Sequence, residues 1–339
     1  MSVVSAIIGT AERVPLPDVV VRAAIQRLCS RTATRLSALG AGDDAACAGW
    51  MMLRPIAQEA AAGYDEVPAS FFAEVLGPNR KFSSCFYKTE ASTLQEAEEE
   101  ALRQTVEHAG LADGQTVLEL GCGWGSLSLW MARQFPHATV TAVATSQAQR
   151  AYVEEEARLR GLLNLRVVAA SMNTFAPERQ FDRIVSVEMF EHITNWRKLM
   201  TRVQSWLAPG GRFFMHVVTH RSGSQLFDPA DRGDWIAQHV FQGGLMPSHH
   251  LVRQFDDIFT VEKEWCWSGT HYQRTADDWL ANFDSRRGAI EASLRRVYGE
   301  ESAAGMRRWR WFLLAASGLF GYADGTEWGV SQYRMKAAE

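Results

Sequence analysis

The chain has 339 residues, 47% of them hydrophobic, and a formal net charge of −4, so it can build one large domain or two modest ones around a sizeable core. A weakly negative balance gives no global basic field to attract nucleic acid or an anionic bilayer. Five cysteines, odd in number, scattered and without a C-x-x-C pair, argue for a reduced, cytoplasmic protein and against a disulfide framework or a zinc site.

The first twenty residues do not join a basic segment to a long apolar one, so no secretory leader is expected. Apolar residues at three-four spacing predict helices over 19–28 and 46–53, and the Ala-rich stretch 57–62 favours helix too. Pro15, Pro17 and Pro55 punctuate these helices. The mixed polar and aromatic segment 82–87 reads as a loop lying over a ligand. Thr93 followed by Glu96 predicts a capping box that opens a helix running to about His108. From Thr116 to Val218, short apolar strands over 116–120, 139–144, 165–170, 182–187 and 211–218 alternate with amphipathic helices. That alternation implies βαβ units and a mainly parallel sheet. Pro209, Gly210 and Gly211 predict a tight turn just before the fifth strand. The C-terminal third gives helical signals over 276–297 and 303–319, with late strands over 265–272 and 328–335. No apolar stretch reaches the roughly 18 residues a membrane helix needs. The division this implies is a helical region over 1–80, a nucleotide-binding core over 81–220, and a cap with the final strands over 221–339. Most of the twelve tryptophans lie in the C-terminal half, which fits either a well-filled core or an aromatic substrate pocket.

The most informative motif lies at the end of the first strand. Gly121, Gly123 and Gly125 alternate with Cys122 and Trp124, and a helix follows from Ser126. Glycines here supply positive φ and let backbone N–H groups approach a ligand that a Cβ would hold off. The spacing is G-x-G-x-G rather than the dinucleotide G-x-G-x-x-G, and Glu119 stands two residues before the first glycine. That combination fits S-adenosylmethionine better than NAD; the plain alternative is a tight βα loop. Glu119 would hold the donor's amino group, directly or through the turn. The second strand ends without the acid that often grips a ribose, which leaves Thr145, Ser146 or Gln149 for its hydroxyls. Ser171 and Met172, after the third strand, would face the adenine edge.

A second cluster ends the fourth strand: Glu188, Glu191 and His192 place three ionisable side chains within five residues. Methyl transfer from a sulfonium is an in-line displacement, which needs alignment and an electron-rich acceptor. An amine acceptor must also lose a proton, which a Glu or His can take. Two carboxyls close together drive one pKa up and attract a cationic amine. The structural alternative is that the two acids cap a helix and His192 packs. Glu191 and His192 are therefore expected as base and orienter, and Glu188 as the group that binds a cationic substrate. His216 and His220 straddle a strand end, so a metal is not expected there. Trp235, Phe241, Trp328 and Tyr333 are candidates to enclose an apolar or aromatic substrate body, with cation–π contact to a quaternary product.

Several stretches together resemble one family. They are Phe82 to Lys88, the glycine turn with its flanks, Phe181 to Val187, and Phe190 to His192. These are similar to the cyclopropane-fatty-acid synthase family of S-adenosylmethionine-dependent methyltransferases. Further stretches, Glu154 to Asn164, Glu188 to His192, Ser268 to Thr275 and Phe320 to Trp328, resemble its coclaurine (benzylisoquinoline) N-methyltransferase branch. The resemblance covers about residues 70–336. It implies an α/β, Rossmann-like class I methyltransferase fold with a mainly parallel seven-stranded sheet, an N-terminal helical segment and a C-terminal helical cap.

In the lipid branch the resemblance implies a bound bicarbonate as base, held by a Cys, a Glu, a His and a Tyr. Those positions fall on Ser84 (with Cys85 one residue along), Glu191, His216 and Tyr272. Ser83 and Ser84 also match cofactor-contacting positions. In the N-methyltransferase branch the implied cluster is Glu188, Glu191 and His192, and the lipid enzymes usually carry Gly where Glu188 stands. Ser171 replaces an acid usual near the adenine. The expected function is methyl transfer from S-adenosylmethionine to a small molecule, an amine nitrogen first. The same-class alternative is an unsaturated acyl chain with bicarbonate. A module that holds the cofactor without chemistry is the alternative from another class. Nucleic acid is not an expected partner, and a homodimer or peripheral lipid contact is compatible with the sequence.

Overall fold

The computed structural model describes residues 16–39, 42–57, 67–227 and 243–339. Among the described residues, three helices come first: α1 (Asp18–Leu39), α2 (Gly42–Met51) and α3 (Ala69–Val75). Next comes α4 (Leu94–Ala109), which opens on a capping box. The Thr93 hydroxyl accepts from the Glu96 N–H, and the Glu96 carboxylate accepts from the Thr93 N–H. It closes on Gly110 at φ 66°, a left-handed residue that ends the helix. The alternating segment follows: β1 (Thr116–Leu120), α5 (Ser126–Gln134), β2 (Thr139–Ala144), α6 (Gln147–Leu159), β3 (Leu165–Ala169), β4 (Phe181–Val187), α7 (Trp196–Trp206) and β5 (Leu207–His220). A two-stranded pair, β6 (Gln225–Leu226) and β7 (Leu245–Met246), precedes β8 (Phe259–Ser268). The chain then runs through α8 (Gly269–Ser285), α9 (Arg287–Tyr298) and α10 (Ser302–Phe320) into β9 (Trp328–Ala337).

One seven-stranded sheet takes the order β3-β2-β1-β4-β5-β9-β8. Neighbours from β3 to β5 pair in parallel, and β9 runs antiparallel between β5 and β8. Chain order reverses beside β1, so the loops after β1 and β4 open into the crevice where such a sheet takes its ligand. The central strands read as apolar runs because both faces are covered: Val117, Leu118 and Leu120, and Phe213 to Val218 apart from His216, are buried apolar residues. A separate aromatic core joins α3 to the C-terminal helices through Phe71, Phe72, Trp279, Phe283 and Trp309, and it includes Trp124 of the glycine turn. Arg310 of α10 ties α1 to α8 by pairing with both Asp18 and Asp284.

Three expectations shift. Pro209, Gly210 and Gly211 lie within β5 rather than before it, at a register irregularity opposite Phe181 and Arg183 where Gly210 takes φ 78°. Residues 269–272 begin α8 instead of ending a strand. Gly269 lies so close to the Trp328 and Phe320 carbonyls that a Cβ would come within 2.1 and 2.3 Å of them. The helical signal over 276–297 divides at Arg286 into two helices.

Candidate active site

The glycine turn is built by β1 ending against β2. The Gly121 and Cys122 N–H groups both donate to the Val143 carbonyl, at 3.0 and 2.9 Å. All three glycines have positive φ, and their surroundings differ. A Cβ on Gly121 would strike Met189 at 2.8 Å, and one on Gly125 would strike Val153 at 2.7 Å; one on Gly123 would meet nothing within 4 Å. The outer two glycines let the turn pack closely, while the middle one faces open space: a backbone cradle that S-adenosylmethionine fits.

Glu119 is only 3% exposed and accepts a hydrogen bond from the Ser128 hydroxyl, so its carboxyl braces the turn against α5. Burial pushes it up to about 7, against the pull of the Ser128 bond and the Lys81 charge. Ser146 caps α6 by accepting from the Gln149 N–H at 3.2 Å, and the Thr145 hydroxyl donates to the Gln149 side chain at 3.2 Å. Ser171 is exposed past the end of β3, whereas Met172 is buried, so of that pair Ser171 is the one open to solvent.

The strap over 81–88 has no regular structure and is pinned on every side. The Phe86 N–H donates to the Ala97 carbonyl at 3.1 Å, and the Cys85 N–H to Thr275 Oγ1 at 3.0 Å. The Tyr87 N–H donates to His271 Nδ1 at 3.2 Å and its hydroxyl to Asp278 at 2.6 Å. Lys81, at 2% exposure, donates from Nζ to Ser83 Oγ at 2.5 Å and to the Ser84 carbonyl at 2.7 Å. Nothing local in the run Asn79, Arg80 and Lys81 marks this lysine side chain as buried.

The strap meets the end of β4 at Glu188. That residue takes φ 48°, a left-handed conformation unusual for a side chain longer than Asn, and its N–H donates to the His216 carbonyl at 2.8 Å. Glu188 Oε1 accepts from the Ser84 N–H at 2.8 Å and lies 3.3 Å from His216 Nε2, while Oε2 accepts from the Tyr272 hydroxyl at 2.8 Å. Burial pushes this carboxyl up, but the His216 bond and charge, with Lys81 and the Ser84 N–H, outweigh it and hold the pKa below the ordinary value. Glu188 is therefore a buried, ionised carboxylate.

Glu191 is the opposite case. It is 1% exposed, Oε1 accepts from the Val218 N–H at 2.6 Å, and Oε2 is buried without a hydrogen-bond partner. Burial, then the Glu188 charge, drive its carboxyl well above the ordinary value, so it stays protonated. The His192 side chain is exposed, yet desolvation by the surrounding protein lowers its pKa against the pull of Glu188. Burial likewise lowers His216, and it raises Tyr272 with help from Glu188. His220 belongs elsewhere: its Nδ1 accepts from the Ser222 and Gly223 N–H groups, and its Nε2 faces Glu327 at 3.3 Å.

Two proposed substrate residues prove to be packing. Trp328 is 2% exposed in a core with Trp267 and Phe320. Tyr333 is 1% exposed, and its hydroxyl donates to the His249 carbonyl at 2.6 Å. Both lie on β9, an interior strand covered on both faces, so neither walls an open pocket. Trp235 and Phe241 lie outside the described residues.

Comparison with known proteins fits this geometry. A family model described as mycolic acid cyclopropane synthetase matches residues 52–325. (S)-Coclaurine N-methyltransferase of Thalictrum flavum subsp. glaucum is 36% identical over 276 residues, spanning 80% of this chain and 76% of its own length. The cyclopropane-fatty-acyl-phospholipid synthase of Escherichia coli K12 is 29% identical over 261 residues, or 76% of this chain and 63% of its own. A crystal structure of coclaurine N-methyltransferase bound to N-methylheliamine and SAH superposes with a TM-score of 0.91 at 30% identity, covering 99% of this chain and 100% of that one. The chain belongs to the mycolic acid cyclopropane synthetase family and is an S-adenosylmethionine-dependent methyltransferase.

Proposed function

We propose that the enzyme methylates the nitrogen of a small-molecule amine of the coclaurine type, with Glu188 as the proton acceptor. The observation that carries this reading is the buried, ionised Glu188 carboxylate gathered by Ser84, His216 and Tyr272. Held at the glycine turn, S-adenosylmethionine supplies an electrophilic methyl group on a sulfonium. Gly121, Gly123, Gly125, Ser83 and Thr145 are the residues that would hold it. An amine enters its cleft largely as an ammonium ion, and a desolvated carboxylate both attracts that cation and takes its proton, leaving the lone pair free. Tyr272 keeps its own proton and fixes one carboxylate oxygen; His192 lines the cleft and orients the acceptor. The base is thus Glu188 rather than Glu191, which is neutral and turned toward the Val218 amide. The same geometry weighs against an exchangeable bicarbonate, because three groups that would hold one are engaged by the protein's own carboxylate.

The experiment is a labelled-methyl screen of purified enzyme against secondary and tertiary amines, including (S)-coclaurine, and against phospholipid vesicles, each with and without bicarbonate. The expected result is amine methylation indifferent to bicarbonate. Glu188→Gln should then lose about 10²-fold or more in kcat, the scale of a general base, while calorimetric affinity for S-adenosylhomocysteine holds. Product from vesicles alone, or full turnover by Glu188→Gln, overturns the reading.

A further inference from the structure

His216, Gln332 and Trp265 stand on β5, β9 and β8 as successive cross-strand partners in one row, so their side chains leave the same face of the sheet. His108, in the last turn of α4, stacks on Trp265 with ring centroids 4.1 Å apart and planes 8° from parallel. Its Nδ1 lies 2.6 Å from Gln332 Oε1. Gln332 Nε2 lies 3.2 Å from His216 Nδ1, and His216 Nε2 faces Glu188 at 3.3 Å. Gln332 and His216 are both fully buried. Nothing in the expected chemistry uses Gln332 or His108.

An ionised carboxylate only accepts, so the His216 nitrogen facing Glu188 must carry the hydrogen. Full burial lowers the His216 pKa and keeps the ring neutral, so the other nitrogen is a bare lone pair, which the amide NH2 of Gln332 satisfies. That leaves the Gln332 carbonyl toward His108, which must donate from Nδ1. Turning the amide over would set His216 lone pair against carboxylate. Every donation therefore points the same way, from His108 through Gln332 and His216 to Glu188.

We infer that Gln332 is a positioning residue that locks His216 as its neutral Nε2–H tautomer, with His108, clamped on Trp265, fixing the direction of the amide. The inference rests on the reading of Glu188 as base. While the amide keeps this direction, His216 Nδ1 has no acceptor, which disfavours the imidazolium form. The proton taken from the amine stays on Glu188 and leaves through the cleft. Around His216 the charged and titratable groups are Glu188, Lys81 and His108, with the Trp267 ring roughly perpendicular at a centroid distance of 5.2 Å; around His108 they are Glu107, Arg103 and Arg334.

The test pairs NMR with kinetics. In ligand-free wild-type enzyme labelled with ¹⁵N-histidine, the His216 ring, identified by its loss in His216→Asn, should show a protonated Nε2 and a bare Nδ1. Gln332→Glu keeps the shape and the His108 contact but offers His216 only acceptors, so both ring nitrogens should become protonated. In that variant kcat for amine methylation should fall roughly 10- to 100-fold at neutral pH, the scale on which partners that orient a functional histidine act. KM for S-adenosylmethionine should hold within about twofold. Raising the pH removes the extra proton, so the acid limb of the rate profile should move to higher pH. A wild-type His216 protonated on Nδ1 instead, or a Gln332→Glu enzyme with wild-type kcat and acid limb, overturns the inference. The NMR result decides it whether or not any amine is methylated. Failure of the wild-type enzyme to methylate amines would sink the functional reading instead.

Discussion

Glu119 shows how one carboxyl can serve a site and burden a fold. Its pKa rises from an ordinary 4.5 to about 7 because burial disfavours the charged form, with Ser128 and Lys81 opposing. A carboxyl raised in this way binds its proton more tightly when folded than when unfolded. Its stabilising contribution is complete below the unfolded value and declines as pH climbs toward the folded one. Ligand-free enzyme should therefore lose stability between pH 4.5 and 7, by up to about 3 kcal/mol from this group. Glu119→Gln keeps an oxygen for the Ser128 hydroxyl and removes the charge. Urea unfolding at several pH values should show the variant losing less stability than the wild type across that window. Curves that stay parallel would refute the assignment. Glu191, pushed up by burial and by Glu188, contributes with the same sign, so the variant flattens only part of the slope.

Among the elements, α2 is tied to Ser224 and Ser248 by one buried side chain, beside the core contacts of Cys47 and Met51. Asp44 is buried and accepts from the Ser224 and Ser248 hydroxyls, each at 2.7 Å, and the Ser248 N–H donates to Ser224 Oγ at 2.9 Å. Asp44→Ala strands two buried hydroxyls and should cost about 2–3 kcal/mol, the range for bonds to a charged acceptor. The loss should be local: hydrogen exchange over 42–51 should quicken while S-adenosylhomocysteine affinity stays put. Unaltered protection there would show that other contacts hold the helix. Such long-range contacts also mark where the sequence stops being legible. The runs 116–120 and 139–144 become strands at those limits because both faces of the sheet are covered, and Thr93 with Glu96 caps α4 by a purely local rule. The division of labour between Glu188 and Glu191 is not local. It depends on Ser84, 104 positions from Glu188 in the chain, and on Tyr272, 84 away. Trp328 and Tyr333 were named for their aromatic character, which cannot by itself tell a pocket wall from a core. Gln332 became visible only once the β5–β9 register set it opposite His216.

At the scale of the whole molecule, the chain is similar both to a relative named for amine chemistry and to one named for lipid chemistry. The fold therefore does not choose the acceptor. On the proposed reading, the choice comes down to what supplies a carboxylate between Ser84, His216 and Tyr272. Glu188 supplies it here from a backbone at φ 48°, a conformation that favours glycine, and glycine is what the resemblance places there in the lipid branch. Glu188→Gly should thus relieve the left-handed strain, of order 1–2 kcal/mol, but leave three converging donors unsatisfied around a carboxylate-sized space, so the variant should fold less stably until an anion fills it. Amine methylation should fall about 10²-fold or more, and added formate or bicarbonate should restore part of it in a saturable way, while the wild type ignores both. Initial rates of labelled-methyl transfer against anion concentration, at constant ionic strength with chloride as control, would measure this. A variant that still binds S-adenosylhomocysteine but recovers with no small carboxylate would return the base to Glu191 and His192. The three donors would then be scaffolding for a charge that takes no part in the proton's departure.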